Sequence, residues 1–279
     1  MILASWYPFL VPLCGVMLIG LLTGLLGTFA FLKKQTMLGD VVAHATLPGI
    51  VMAFMITQSV HSLVLMTGGL VTGLCAVLLI TFLSRYTVLH TDTLFGIVLS
   101  VFFGIGLVLL TQVQKMPIAS QAVLNKFLFG SAATLVYSDL YVLLLLTIVV
   151  SVIVAMFWRA FILVIFDTDY ARTLGIPVTM LQIVLHVLTV TVIVTGLYAV
   201  GVVLMSSLLV APAVTARQLT RSVTSMIWYA MSCSIVACAL GMSVSIVFAH
   251  VPTGAAIVVV ATVGAFGTLI LCRELKGAV

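Results

Sequence analysis

The chain has 279 residues, of which 64% are hydrophobic and only 6% are charged. This composition excludes a soluble globular domain and predicts a polytopic membrane protein. The net charge of +5 does not indicate a nucleic-acid partner, because the basic residues gather at the ends of apolar runs, where they set membrane topology.

Nine apolar runs are long enough to cross a membrane, since a helical span needs about 20 mostly apolar residues. They cover residues 9–32, 39–58, 63–84, 93–113, 139–158, 183–200, 202–219, 225–248 and 253–272. The N-terminus lacks the basic region of a cleavable signal peptide, so the first run is predicted to be a retained span. We therefore expect an all-α bundle of about eight or nine transmembrane helices, in a single transmembrane domain covering residues 1–279.

The second run begins with LGDVVAHATLPGI, which places an acid, a histidine and a proline at the start of a predicted span. In a helix Asp40 and His44 are four residues apart and share one face, so one divalent ion could contact both. Pro48 has no N–H for the carbonyl of His44, which must find another partner. A charged carboxylate inside a span costs about 2.5–3.5 kcal/mol and usually faces a partner or a watery path. Two alternatives to a metal path remain, namely Asp40 as a helix N-cap and His44 as a hydrogen-bonded core residue.

The chemistry of this pair indicates which ions could use it. Carboxylate and imidazole without thiolate suit manganese, iron(II) or zinc better than copper(I). Structural zinc sites close with four ligands, whereas conduction needs a site weak enough to release its ion. Two or three protein ligands are therefore more typical of transport than of storage.

The connection over residues 158–180 contains the signals of a short polar helix. Asp167 is a predicted N-cap, Asp169 lies in the first turn, Arg172 lies near the end, and Gly175 is a predicted C-cap. A helix of this length is marginal alone in water, so we expect it to gain order by packing against a partner.

The later spans hold few polar residues. His186 could line the lower part of a path, or it could be a hydrogen-bonded core histidine. Pro212 cannot donate to the carbonyl of Leu208, which predicts a kink or break in the seventh span.

The basic residues divide unequally between the two sides of the predicted bundle. If the nine spans alternate, only Lys115 and Lys126 lie on one side, in the connection over residues 111–139. The other side receives Lys33, Lys34, Arg85, Arg159, Arg172, Arg217, Arg221, Arg273 and Lys276. The positive-inside rule places this basic side in the cytoplasm and the N-terminus outside. The outer connection could be a solvated loop or a docking surface.

Three segments carry a resemblance, in order along nearly the whole chain. GDVVAHATLPG looks like the signature GD-hydrophobic-SHA-x-LPG, FDTDYARTLGIPV is similar to a cytoplasmic coupling segment, and VGVVLMSSLLVAPAVTARQL is similar to a third characteristic stretch. Together they resemble the membrane permease subunits of bacterial ATP-binding-cassette importers for manganese, zinc and iron, the ABC-3 family. The departures are Ala43, where Ser is common, and Ser207, where Ala is common. Residues 114–130 look most like the branch associated with manganese.

The resemblance implies roles for particular residues. It places Asp40 and His44 on the metal path. Weaker candidates for the path or its gate are Pro48, His186, Ser206, Ser207 and Pro212. The coupling of transport to an ATPase would rest on Asp167, Asp169, Tyr170, Ala171, Arg172, Leu174 and Gly175.

The function expected is that of a permease subunit without an ATPase site of its own, because the sequence lacks G-x-x-x-x-G-K-[ST]. The resemblance implies two cytoplasmic ATPases, a second copy or a similar permease, an external metal-binding protein and membrane lipid as partners. It also implies a bacterial inner membrane, with Mn²⁺, Zn²⁺ or Fe²⁺ as cargo and no permanently bound cofactor.

Two other classes remain as alternatives. An ion-coupled secondary metal transporter usually has several intramembrane charges and inverted repeats, but Asp40 is the single plausible intramembrane acid in the sequence. An intramembrane enzyme would need a catalytic set such as H-E-x-x-H or paired aspartates on different spans, and neither pattern is present.

Overall fold

The computed structural model describes residues 2–59, 61–113, 135–248 and 251–277, and every regular element within these ranges is an α-helix. The helices are α1 (Ile2–Leu32), α2 (Leu38–Ala45), α3 (Leu47–Thr57), α4 (Ser62–Tyr86), α5 (Thr91–Val113), α6 (Tyr137–Met156), α7 (Trp158–Phe166), α8 (Thr168–Thr173), α9 (Val178–Val200), α10 (Val202–Leu219), α11 (Val223–Val247) and α12 (Thr253–Gly277). The outer connection with Lys115, Lys126 and the manganese-like segment falls largely outside these ranges.

Nine segments in the described ranges are long and apolar enough to cross a membrane, which confirms the expected all-α polytopic bundle. Each predicted span overlaps one of them. The largest boundary difference is at the sixth span, which begins at Val178 rather than at residue 183. Pro177 occupies the N-cap position there, directly before the first helical residue.

The second span consists of two helices. α2 ends at Ala45 and α3 begins at Leu47, with Pro48 in the first turn of α3. The Thr46 N–H still donates to the carbonyl of Val42 at 3.0 Å. The carbonyl of His44 has no donor at Pro48, four residues later, so the regular helical ladder is interrupted there.

Pro212 does not interrupt the seventh span. α10 runs from Val202 to Leu219 with Pro212 buried inside it, so of the predicted kink or break the break does not occur. α10 packs against α1, α11 and α12. Neighbouring helices of this kind allow a transmembrane helix to tolerate an internal proline.

The helices pack as two groups joined by α2 and α9. In the first group α1 packs against α6, α10 and α11, and Leu26 and Phe29 of α1 are fully buried. The second group contains α3, α4 and α5. Helix α2 contacts α4 and α5 on one side and α9 and α10 on the other. The residues of α2 therefore lie where the two groups meet.

Glycines allow close helix crossings beside α2. A Cβ atom on Gly49 would lie within 3.0 Å of the Gly68 carbonyl oxygen of α4, and one on Gly27 would lie equally close to the Leu209 carbonyl of α10. Small residues permit this approach of helix backbones in membrane proteins. Gly39 of α2 similarly lies against α10, where its Cβ position is 3.7 Å from the Cα atom of Ser206.

The connection between the fifth and sixth spans contains two helices, of which α8 confirms the predicted short polar helix. The Tyr170 N–H donates to Asp167 Oδ1 at 2.9 Å, and Gly175 has a left-handed φ of 75°.

Helix α7, which precedes α8, was not predicted. Its apolar sequence continues the fifth span, but non-helical backbone at Phe157 separates the two helices, and Phe161 packs into the core.

Candidate functional site

Asp40 and His44 lie together on α2, as their spacing predicts. His44 Nε2 is 3.5 Å from Asp40 Oδ1. The Asp40 side chain is 49% exposed and the His44 side chain is 30% exposed, so both can be reached by an ion without unfolding of the helix. In the part of the chain that the structure describes, no third His, Cys, Asp or Glu completes a metal-binding group with them. Water or another subunit would have to supply the remaining ligands.

The N-cap alternative for Asp40 does not fit the structure. Met37 occupies the N-cap position of α2 and makes no side-chain capping hydrogen bond. Asp40 lies in the first turn, where a carboxylate interacts favourably with the positive end of the helix dipole. Among the described residues its carboxylate accepts no backbone hydrogen bond, and its one polar side-chain contact is the His44 ring. The oxygens of Asp40 therefore remain available to a ligand.

The His44 ring is positioned by an aromatic residue of α5. Its centroid lies 4.9 Å from that of Phe103, with the ring planes at 72°. An edge-to-face contact of this kind holds the imidazole by packing and leaves its ring nitrogens free for polar partners. The neighbouring phenyl ring also gives this side of the pair an apolar wall.

Asp40 opens into a groove of about 570 Å³ between α2, α10 and α12. Four hydroxyl residues line this groove with it, and they are Thr36, Ser206, Ser207 and Thr262. Ser206 Oγ donates to the carbonyl of Val203 at 3.2 Å, whereas the buried Ser207 Oγ has no hydrogen-bond partner in the described chain. The rest of the lining is apolar. The groove therefore offers one carboxylate and several neutral oxygens along a largely apolar surface.

Three of the weaker path candidates lie outside the groove. His186 is half-buried, and its Nε2 lies 3.4 Å from Gln35 Oε1, so the structure places it as a hydrogen-bonded histidine outside the Asp40 groove. Pro212 lines a separate cavity of about 290 Å³ between α10, α11 and α12. Pro48 acts on the backbone of the second span and does not line the groove.

Lys33 directly follows the end of α1. No acidic partner compensates its charge within the described residues, and burial lowers the pKa of its amine from 10.5 to about 8. A half-buried amine of this kind destabilises the folded chain whenever it is protonated.

The coupling candidates on and around α8 divide into an exposed set and a buried residue. Tyr170 and Leu174 are more than half exposed, and Arg172 makes a 3.0 Å ion pair with Asp169 at the surface. Ala171 is fully buried, which corrects its assignment to the coupling surface. Its small side chain anchors α8 against the bundle, because the opposite face of so short a helix must pack inward.

The sequence did not reveal Thr36, Phe103, Thr262 or Gln35 as neighbours of the candidate residues. Thr36 precedes the predicted span, and Thr262 is one hydroxyl in an otherwise apolar run. No local spacing connects α5 or α12 to α2. Their contribution follows from packing between helices that are distant in sequence.

Comparison with known proteins gives consistent results. The sequence profile described as the ABC 3 transport family matches residues 7–272. The chain is 41% identical over 254 residues to the zinc transport system membrane protein TroC of Treponema pallidum, covering 89% of this chain and 83% of that protein. It is 40% identical over 215 residues to the manganese transport system membrane protein MntC of Bacillus subtilis, covering 77% of this chain and 49% of that protein.

A solved structure also matches over its whole length. It is described as PsaBC from Streptococcus pneumoniae in complex with Fab, and the match has a TM-score of 0.84 with 26% sequence identity, covering 100% of both chains. The resemblance drawn from the three sequence segments is thereby confirmed at the level of the family.

Proposed function

Since the chain belongs to the ABC 3 transport family, we propose that it is the transmembrane permease subunit of an importer that moves a divalent transition metal into the cytoplasm. The observation that carries this proposal is the half-buried Asp40 and His44 pair, 3.5 Å apart on α2, with Asp40 in the lining of the groove. We treat residues 1–279 as one permease domain.

The geometry supports a transient site. Two protein ligands leave most of the coordination shell of a first-row divalent ion to water, so the ion is held weakly enough to move on. The uncharged hydroxyl residues Ser206 and Thr262 extend the polar lining beyond Asp40. Neutral oxygens attract a dication less strongly than a carboxylate does, which favours release along the groove.

Manganese is the cargo that we favour, with zinc and iron(II) as alternatives. The support is the segment at residues 114–130 together with the carboxylate and hydroxyl groups among the groove residues, since carboxylate and hydroxyl oxygens suit manganese. The zinc and manganese relatives match at nearly the same identity, so they favour neither metal.

The energy source and the partners belong to the proposal as well. The sequence contains no P-loop motif, so two cytoplasmic ATPases would supply the energy. We place their docking surface at the exposed Tyr170 and Leu174, with the Gly175 turn beside them. A second permease chain, either a copy or a paralogue, would close the open side of the groove, and an external metal-binding protein would deliver the ion.

One variant at Asp40 and one at His44 test the site. We expect Asp40→Asn and His44→Ala each to abolish metal uptake in cells while membrane abundance stays normal, because both remove a ligand without adding a buried charge. Asp92→Asn is the matched control, since Asp92 also lies in the first turn of a span but outside the groove. Normal uptake by both site variants would refute the metal-path assignment.

The energy source requires a separate experiment. The permease, purified with its ATPase and reconstituted in vesicles, should hydrolyse ATP faster in the presence of its metal and delivery protein, tested with one metal at a time. Metal uptake that proceeds without ATP and follows an ion gradient would instead support the secondary-transporter alternative.

A further inference from the structure

A cavity of about 830 Å³ lies at the end of the bundle that carries Arg159 and Arg221, here called the basic end. Its walls come from α1, the end of α6, the start of α7 and the start of α11. It shares no lining residue with the groove beside Asp40. This cavity is therefore a feature that the proposed transport path does not use.

The lining of the cavity reaches about one membrane leaflet away from the end of α1. Leu21 lines its inner part, and α1 ends at Leu32, so the rise of the helix places Leu21 ~16 Å from that end. The hydrocarbon core of a bilayer is about 30 Å thick, which gives about 15 Å for each leaflet. The inner lining is apolar and includes Leu25, Val154, Ile227 and Met231. Such a space matches a hydrocarbon chain that enters from the lipid headgroup level.

The mouth of the cavity offers donors for an anion. The Arg159 side chain is exposed and makes no ion pair or hydrogen bond with another described residue. Trp158 and Trp228 flank it, and neither indole N–H has a partner in the described ranges. A guanidinium group matches the geometry of phosphate oxygens, and tryptophan is enriched at the headgroup level of membranes.

We propose that this cavity binds an anionic glycerophospholipid, with the lipid phosphate on Arg159 and an acyl chain between α1 and α11. The unpaired cation favours an anionic headgroup over a zwitterionic one. No acidic residue lines the cavity that could occupy Arg159 instead.

The position of the lipid gives it a structural consequence. Phe157, where the backbone between α6 and α7 is non-helical, lines the cavity. Helix α7 leads directly into α8 and packs against it. A lipid in the cavity would support this junction from the membrane side and so hold the segment that carries Tyr170 and Leu174.

Lipid binding to the delipidated full-length protein tests the proposal. Native mass spectrometry would compare dioleoyl phosphatidylglycerol with dioleoyl phosphatidylcholine at equal concentrations. We expect the wild-type protein to retain phosphatidylglycerol about fivefold better, and Arg159→Gln to lose this preference, because one basic residue near a lipid surface accounts for an effect of that size. Arg85→Gln is the matched control, since Arg85 is another arginine that does not line the cavity.

A second variant tests the acyl-chain part of the cavity. Ala155 lines it and is exposed, so Ala155→Trp should fill the space without disturbing the core, and it should reduce binding of both lipids. An unchanged lipid preference in Arg159→Gln would overturn the proposal. If inorganic phosphate competed with phosphatidylglycerol equally well, the cavity would be a free-anion site instead. A disulfide between cysteines placed at position 155 of two permease chains in membranes would show that protein occupies the cavity.

Discussion

A single methyl group at Gly49 should disturb the site through helix packing. Gly49 lies in α3, just after the interruption that follows α2, and it faces Gly68 and Thr72 of α4. We consider the variant Gly49→Ala. The added Cβ would lie 2.7 Å from Thr72 Cγ2 and still closer to the Gly68 carbonyl oxygen.

The size of the effect follows from these distances. Carbon atoms pack best about 3.5–4.0 Å apart, so α3 and α4 would have to separate by about 1 Å. Overpacking of this kind costs about 1–3 kcal/mol, and the higher helix propensity of alanine recovers at most about 1 kcal/mol. We expect a net loss of about 1–2 kcal/mol in the free energy of unfolding. The strain also falls next to Pro48 and so displaces His44 relative to Phe103.

Two measurements check this expectation. Thermal unfolding of the purified protein in detergent should show a lower midpoint for Gly49→Ala, and metal uptake per permease molecule should fall. Gly96→Ala is the matched control, since a Cβ at Gly96 in α5 meets no atom within 4 Å. If Gly49→Ala were as stable and as active as Gly96→Ala, the close crossing of α3 and α4 would be refuted.

Three further predictions concern charge, coupling and topology. Lys33 binds its proton less tightly in the folded chain, where its pKa is about 8 instead of 10.5. Lys33→Met should therefore raise the unfolding midpoint at pH 7, and this advantage over the wild type should shrink between pH 8 and 10.5. A difference in midpoint that does not depend on pH would contradict this. Alanine at both Tyr170 and Leu174 should reduce the amount of ATPase that co-purifies while membrane abundance stays normal, and unchanged co-purification would place the contact elsewhere. In a cysteine-free background, Lys115→Cys should react with an impermeant reagent from outside and Arg172→Cys only after permeabilisation, whereas the opposite pattern would reverse the proposed orientation.

The sequence by itself determined the features that depend on local composition and spacing. Apolar runs of about 20 residues predicted all nine spans, because the cost of exposing polar backbone to lipid makes long apolar stretches helical. The four-residue spacing of Asp40 and His44 was enough to place them side by side, since neighbours on a helix surface are fixed by its 3.6-residue turn. The N-cap of α8 at Asp167 was predictable for the same local reason, and so was the left-handed Gly175, which directly follows the C-cap residue Leu174.

The tertiary structure decided which helices meet. The fourth, seventh and ninth spans show no polar face that would indicate that α10 and α12 line the groove with Asp40, or that Phe103 of α5 packs on His44. Pro212 stays inside a continuous helix because α10 is supported on several sides, while Pro48 accompanies an interruption between two short helices. Ala171 is buried for a similarly non-local reason. Close glycine crossings and side-chain packing between distant segments select these contacts, and neither leaves a periodic signal along the chain.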